Sequence, residues 1–595
     1  MIHSWSGKKL YQSLSRKKTF TIETKQEKDK LKRVLTIFDL TALGIGATLG
    51  SGVYVLAGTV AKSIAGPAVV LSFIVAAIVS SFAGVCYAEF AGRVPKAGSA
   101  YIYSYVAVGE FIAFIIGWNM FIEHTIGTAS AAKAMTNYLD SLLGDPQKRY
   151  MKAHFPIHMQ FMGEYPDVAS FLFLMFIALV MAWGVRKSST LNTVFTTFNL
   201  LTVGTVIVSG LFFVKISNWN ISKSEIPPGI DGGNGGFAPF GWSGIIAGAA
   251  RCFYGFIGFE SISTTGEETK NPKKTIPLAI VLTLVFVTSA YSIVASVLTL
   301  MWPYYDQDPN APFPVIYENL GLPVIKYMVT CGAVFALFTS LLGCLFPIPR
   351  ILYAMSCDGL LFEFLSMVNE NTKTPVITTM ICGVGAGILS SIFNLEQLVD
   401  MTSIGTLISY LIVCVCLLVL RYRDTNTAVQ DIGSNSDDYK MFKWYSLFNT
   451  KVTNMNTQYI SRVLILIYTF SACVFCISMV NVDCYDGAFY FPLIVVIAVS
   501  ITVSLLSMLM LHRLPQAIEN LAFRVPLVPF IPCVSITLNL YLMMELSIKT
   551  WIRFGVGLVL GVFIYAFYGI HHSLEGSKQR AVKNEENKNT LRISS

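Results

Sequence analysis

Two stretches, Gly44-Ile45-Gly46-Ala47-Thr48-Leu49-Gly50-Ser51-Gly52 and Phe253-Tyr254-Gly255-Phe256-Ile257-Gly258-Phe259-Glu260, place glycines inside long apolar segments. Glycine is costly in a helix interior, and a bilayer offers no water to satisfy backbone groups that a break sets free. A membrane helix that unwinds must therefore bind something with its loose N–H and C=O groups. Two such breaks at matching positions in two halves of a chain point to a transport site near the membrane midplane.

Outward from these stretches, the rest of the chain reads as membrane protein. Its 595 residues are 54% hydrophobic and only 13% charged, where a soluble protein averages about 25%. Mean hydropathy is +0.60. Apolar runs of roughly 20 residues, the length that crosses hydrocarbon, alternate with short polar loops. The pattern predicts an all-α membrane protein of fourteen transmembrane helices, starting near residues 38, 66, 102, 168, 191, 242, 276, 323, 375, 398, 463, 488, 525 and 550. Residues 1–36 read as a cytosolic segment and 37–421 as a ten-helix transport core. A polar cytosolic loop (422–461), four C-terminal helices (462–572) and a cytosolic tail (573–595) follow. Spans one and six, the glycine-broken ones, hold the same place in each set of five. That predicts a 5+5 inverted repeat with both helices discontinuous.

The charges report topology. The first 34 residues are basic, with no apolar run that predicts a cleavable signal, and stay cytosolic under the positive-inside rule. Both termini are then cytosolic. Inner loops hold Arg93/Lys96, Arg186/Lys187, Lys270/Lys273/Lys274, Arg350/Lys373 and Arg513/Arg524, while outer loops hold Asp306/Asp308, Glu396/Asp400 and Asp483/Asp486. The Lys148/Arg149/Lys152 loop dissents, but it is long and weighs little. Asn220-Ile221-Ser222 is a glycosylation acceptor on a predicted outer loop. The net charge of +8 belongs to this topology and implies no nucleic acid. Twelve cysteines and seven histidines show no metal spacing, disulfide framework or nucleophile–base set, so neither a cofactor, a metal nor an enzyme activity is expected.

The breaks can receive a zwitterion. Span one runs outward, so the amides of Gly50, Ser51 and Gly52 begin a half-helix whose positive end attracts a carboxylate. Span six runs inward, and its break from Tyr254 through Gly255 to Ile257 frees carbonyls for an ammonium group. Close packing is the competing reading for either glycine motif alone. Acids inside spans cost about 3 kcal/mol on insertion scales and usually face a cavity or a partner. Glu110 and Glu123 fall on span three, and Glu260 follows the second break. Glu123 is the candidate for a cationic substrate side chain, with Lys133 or His124 as its structural partner otherwise. Glu110, nearer the inner end, fits gating or packing.

The runs GIGATLGSGVYVLAG from Gly44, YAEFAGRVPKAGSAYIYSYVAVGE from Tyr87 and CFYGFIGFESISTTGEETKNP from Cys252 resemble the cationic amino acid transporter family. That is the fourteen-span branch of the amino acid–polyamine–organocation superfamily. The resemblance continues through FPIPRILYAMSCDGLLF from Phe346, DMTSIGTLISY from Asp400, FRVPLVPFIPCVSITLNLYLM from Phe523 and YGIHHSLEG from Tyr568. It implies a leucine-transporter-like fold that carries arginine, lysine and ornithine across a plasma membrane. It further implies carboxylate binding at Gly50, Ser51 and Gly52, and amino-group binding by carbonyls of Ile45, Tyr254 and Ile257. Glu110 matches a glutamate needed for transport, and Glu123 an acid that bacterial relatives place near a basic side chain.

Three positions bear on mechanism through that resemblance. Asn199 stands where proton-coupled relatives carry lysine, and an asparagine cannot exchange a proton near neutral pH. Facilitated uniport or exchange follows, since a unit charge gains about 2.3 kcal/mol per 100 mV. Cys344, in the side-chain pocket with Gly255 and Glu123, replaces a common serine, and Glu260 replaces a common aspartate. The expected partners are the substrate and membrane lipid, with no obligatory protein. A neutral amino acid, γ-aminobutyrate or polyamine carrier, on an internal membrane, is the alternative.

Overall fold

The computed structural model describes residues 35–50, 52–93, 99–159, 161–182, 185–265, 269–309, 311–369, 375–423, 453–482, 490–517 and 523–578, with Leu14 and Arg16. Among them the chain is helical and has no sheet, only two isolated bridges, Leu35 with Thr269 and Ser222 with Gly235. Nine helical stretches among the described residues are long and apolar enough to cross a membrane, and Val168–Ala182, Val376–Ile392 and Phe530–Met544 are shorter apolar helices.

The helices that matter for the site are α1 (Ile37–Thr48), α2 (Val69–Arg93), α3 (Ser99–Ala107) and α4 (Glu110–Leu142). They continue with α5 (Val168–Ala182), α6 (Val185–Leu211), α7 (Gly241–Cys252) and α8 (Pro272–Met301). Next come α9 (Pro323–Leu345), α10 (Pro347–Cys357), α11 (Val376–Ile392) and α12 (Leu395–Arg421). The last are α13 (Met455–Val480), α14 (Tyr490–Arg513), α15 (Phe530–Met544) and α16 (Ile548–Ile564). Local chemistry sets several starts. Thr36 and Asp39 close a capping box on α1, and Asn394 and Gln397 do so on α12. Pro272 and Pro323 open α8 and α9, where a missing N–H costs nothing. Helix α13 begins at Met455, inside the segment read as a loop to residue 461. Residues 574–578 are helical and lie against the body.

Burial ranks the helices. Over an apolar run of 18 residues, 83% of positions are buried within Gly241–Ser263 and 72% within Leu395–Arg421, whereas 11% are within Phe491–Arg513. The centre is thus built where α1, α2, α4, α7, α8, α9 and α12 pack on one another, with α13 and α14 paired at the side. Helix α15 bridges the two parts, touching α12, α13 and α2.

Candidate functional site

Both glycine stretches are interrupted helices: the first breaks at Leu49, beyond Gly44 and Gly46, and the second over Phe253–Gly258, which spans the expected Tyr254 to Ile257. Helix α1 continues through Gly44 and Gly46 to Thr48. Those two glycines are close-packing points: a Cβ on Gly44 would sit 2.6 Å from Ile262 and 2.7 Å from Thr283, and one on Gly46 2.4 Å from Thr196. The chain leaves the helix at Leu49 (φ −77°, ψ 75°) and resumes as a wide turn over Gly52–Leu56. Ser51 lies outside the described residues. In the second stretch a tight turn spans Phe253–Phe256, Ile257 is extended (φ −67°, ψ 135°) and Gly258 takes φ +126°. That φ favours glycine, and a Cβ there would also sit 2.9 Å from the Ala47 carbonyl. The two breaks abut, since a Cβ on Gly52 would meet the Gly255 Cα at 2.8 Å.

Several of the groups released at the breaks have partners within the chain. The Leu49 carbonyl accepts from the Asn199 side-chain amide at 2.6 Å, and the Asn199 oxygen accepts from the Tyr54 hydroxyl at 2.8 Å. The Tyr291 hydroxyl lies 2.7 Å from the Thr48 carbonyl and 2.6 Å from the Gly255 carbonyl, one proton facing two acceptors. It joins the breaks. The Gly50 amide, expected to be open, donates to the Thr48 carbonyl at 2.9 Å, and the Ile45 carbonyl accepts from the Leu49 N–H at 2.8 Å. The Tyr254 carbonyl accepts from the Ile257 amide at 3.2 Å, while its ring hydroxyl meets the Ser130 hydroxyl at 2.5 Å. The arrangement is closed: Ile45, Tyr254 and Ile257 are all buried.

Two carboxylates stand beside the breaks. Glu260 folds back on its own turn and accepts from the Gly258 N–H at 2.9 and 3.0 Å, and from the Tyr410 hydroxyl at 3.0 Å. Glu123, on α4, accepts from the hydroxyls of Thr406 at 2.6 Å and Ser409 at 3.0 Å. Thr406, Ser409 and Tyr410 follow the i, i+3, i+4 spacing, so one face of α12 serves both acids. One of the two expected alternative partners of Glu123, Lys133, is engaged elsewhere, since it pairs with Asp167 at 3.1 Å. Around the acids stand the rings of Tyr87, Phe253, Phe259 and Tyr410, in contact at centroid distances from 5.3 to 6.1 Å. The buried Tyr87 hydroxyl has no hydrogen-bond partner among the described residues. Cys344 is half-buried and faces α4, where a Cβ on Gly127 would lie 3.6 Å from its Sγ.

Electrostatics divides the buried acids. Glu89 holds Arg93 at 2.8 Å and Arg421 at 2.7 Å, Asp167 holds Lys133, and Arg251 reaches Glu396 at 2.5 Å and Asp400 at 3.7 Å. Glu110 is fully buried, lies 3.5 Å from Arg16 and accepts from Tyr105, Tyr565 and Ser573. It therefore stands apart from the breaks, tied to the chain's two terminal segments. Among the described residues, Glu123 and Glu260 form no ion pair and are held by neutral donors. Also among the described residues, no group of three His, Cys, Asp or Glu side chains gathers as a metal site. Asn220 is exposed at the end of a short turn, Ile216–Trp219.

Residues 35–448 match the family described as amino acid permease, and 523–573 match the family described as the C-terminus of AA_permease. "Cationic amino acid transporter 4" of Mus musculus is 36% identical, over 94% of this chain and 90% of that protein. The chain belongs to the cationic amino acid transporter family of amino acid permeases. The Homo sapiens protein of the same description is 35% identical over 96% of this permease and 92% of its own length. "Cationic amino acid transporter 4, vacuolar" of Arabidopsis thaliana is 32% identical over 92% and 93%.

Several residues at this permease's site carry weight that sequence reasoning did not give them. Tyr291 joins the breaks, Thr406, Ser409 and Tyr410 hold the acids, and Arg251 sits one turn from the second break. A charge within an apolar helix was the available signal for Arg251. Hydroxyls at helical spacing along α12 were the signal for the other three, because buried hydroxyls need partners.

Proposed function

We propose that this permease moves cationic L-amino acids (arginine, lysine, ornithine) by facilitated, potential-driven uniport or exchange with alternating access. The observation that carries the reading is a contrast between two sets of buried acids: among the described residues Glu123 and Glu260 face no fixed cation, whereas Glu89, Glu110, Asp167 and Asp400 each face one. Buried charge needs a counter-charge, and a substrate side chain is the mobile species that can supply it. The aromatic rings alongside suit a flat or apolar-stemmed cation.

In this reading Gly50, Ser51 and Gly52 present amides to the substrate carboxylate, once the Gly50 N–H turns away from Thr48. The carbonyls of Ile45, Tyr254 and Ile257 take the ammonium group, each having a second lone pair to offer. Glu123, Cys344 and Gly255 shape the side-chain pocket. Glu260 and Glu110 act in gating, one at the break and one at the inner end. Asn199 holds the first break open without a titrating group, which favours uniport or exchange over proton symport. The same proposal includes fourteen spans in a 5+5 inverted repeat, both termini in the cytosol, a plasma-membrane location and glycosylation at Asn220. In voltage-clamped oocytes, arginine and lysine are expected to give inward currents that grow with negative potential at constant pH. Absence of both current and labelled uptake would refute it.

A second reading, a neutral amino acid, γ-aminobutyrate or polyamine carrier on an internal membrane, is favoured by two observations. Cys344 removes a hydroxyl from the pocket, and one relative is described as vacuolar. Competition among labelled substrates separates the two.

A further inference from the structure

A cavity of about 270 Å³ lies at the end of α1 and α8 that carries their first residues, lined by Thr36, Ile37, Lys270, Asn271, Lys274, Thr275 and Leu278. Lys270, Lys273 and Lys274 are exposed, and no acid pairs with them among the described residues. The nearby carboxylate of Asp39 is turned onto the amide and hydroxyl of Thr36, at 2.9 and 2.7 Å. The first turn of α8, a 30-residue helix, adds its own positive end to the lysines.

Ile37 and Leu278 give this cavity an apolar, partly exposed side. Leu278 is 50% exposed, and it stands one turn along α8 from Lys274. Exposed Val281, Leu282 and Val285 extend the same face. A basic cup thus opens directly onto an apolar stripe. A free phosphate would use the cup alone, whereas a phospholipid uses both. We propose that this groove binds an anionic phospholipid, its phosphate against Lys270 and Lys274 and an acyl chain along Leu278, Val281, Leu282 and Val285. Basic pockets between helices at a membrane surface recognise such head groups.

The position gives the lipid leverage on transport. The Lys270 amide donates to the Leu35 carbonyl at 3.0 Å, and Leu35 bridges to Thr269, so the cup joins the start of the first broken helix to the end of the second. A bound head group spanning Thr36 and Lys270 restrains the relative motion of those two segments. None of this depends on the identity of the transported substrate.

The test uses the full-length protein purified in a neutral detergent, titrated with short-chain phosphatidylglycerol while the thermal unfolding midpoint is read. The midpoint is expected to rise with phosphatidylglycerol and to stay put with phosphatidylcholine or inorganic phosphate. The Lys270→Gln/Lys274→Gln variant should need about thirtyfold more lipid, from roughly 1 kcal/mol per lysine. Wild-type protein in high salt should lose most of the response, because the lysines are exposed. Equal responses to the two lipids, the same response to inorganic phosphate, a salt-insensitive wild type, or an unshifted double variant would each overturn the proposal.

Discussion

The acids at the breaks and the acids at the two ends of the helix bundle are equally buried but differently answered. At one end Glu89 is held by Arg93, Arg421 and the Val525 amide, and Glu110 by Arg16 and three hydroxyls. Asp167 and Asp400 face Lys133 and Arg251. In the centre, among the described residues, Glu123 and Glu260 meet only hydroxyls and one backbone amide. Fixed ion pairs fasten helices to one another. Neutral donors orient a carboxylate and leave its charge to attract something else. The difference teaches that an intramembrane acid becomes a binding candidate when the chain supplies its hydrogen bonds and withholds its counter-ion.

The sharpest way to break the comparison is to strip an end acid of its cation. Lys133→Ala leaves Asp167 buried with uncompensated charge, a loss of about 3–5 kcal/mol. Thermal stability should fall steeply, and whatever transport survives should decline alike for every substrate. Glu123→Gln should do the reverse. Thermal stability should hold, while arginine uptake weakens through loss of a charge-assisted interaction worth about 1.5–3 kcal/mol, roughly tenfold or more. Neutral amino acids should change little; equal losses for both would place Glu123 with the structural acids.

Smaller effects sharpen the picture. Tyr291→Phe removes the hydroxyl shared by the two breaks, a neutral hydrogen bond worth about 0.5–1.5 kcal/mol. Turnover in counterflow should slow severalfold for basic and neutral substrates together. Arg251→Ala removes a partly exposed pair with Glu396 and Asp400, worth about 0–1 kcal/mol. Its signature should be a change in apparent affinity of a few fold at most, largest at low salt.

Much of the helix plan is legible in sequence because apolar runs of spanning length are a strong signal. The structure has helices at or near the expected positions, for example Gly241–Cys252 where a span was expected near 242. The second break was legible to within a residue or two, the first as a region only. Whether a glycine unwinds a helix or packs it depends on what stands opposite, and Ile262, Thr283 and Thr196 decide that for Gly44 and Gly46. Partners of the acids were hidden for a similar reason. Thr406 lies 283 residues from Glu123, and nothing local links them. The four C-terminal helices offered no role in sequence; the Val525 amide on Glu89, at 2.6 Å, shows that the segment before α15 is fastened to the core.

The most direct measurement sets arginine against citrulline, its near-isosteric neutral counterpart, as competitors for labelled arginine uptake in vesicles. With an uncompensated carboxylate in the pocket, citrulline should compete at least about tenfold more weakly, the equivalent of roughly 1.4 kcal/mol, and Glu123→Gln should erase most of that gap. Citrulline competing as well as arginine in the wild-type protein would contradict the account, because the pocket would then be reading the shape of the side chain and not its charge.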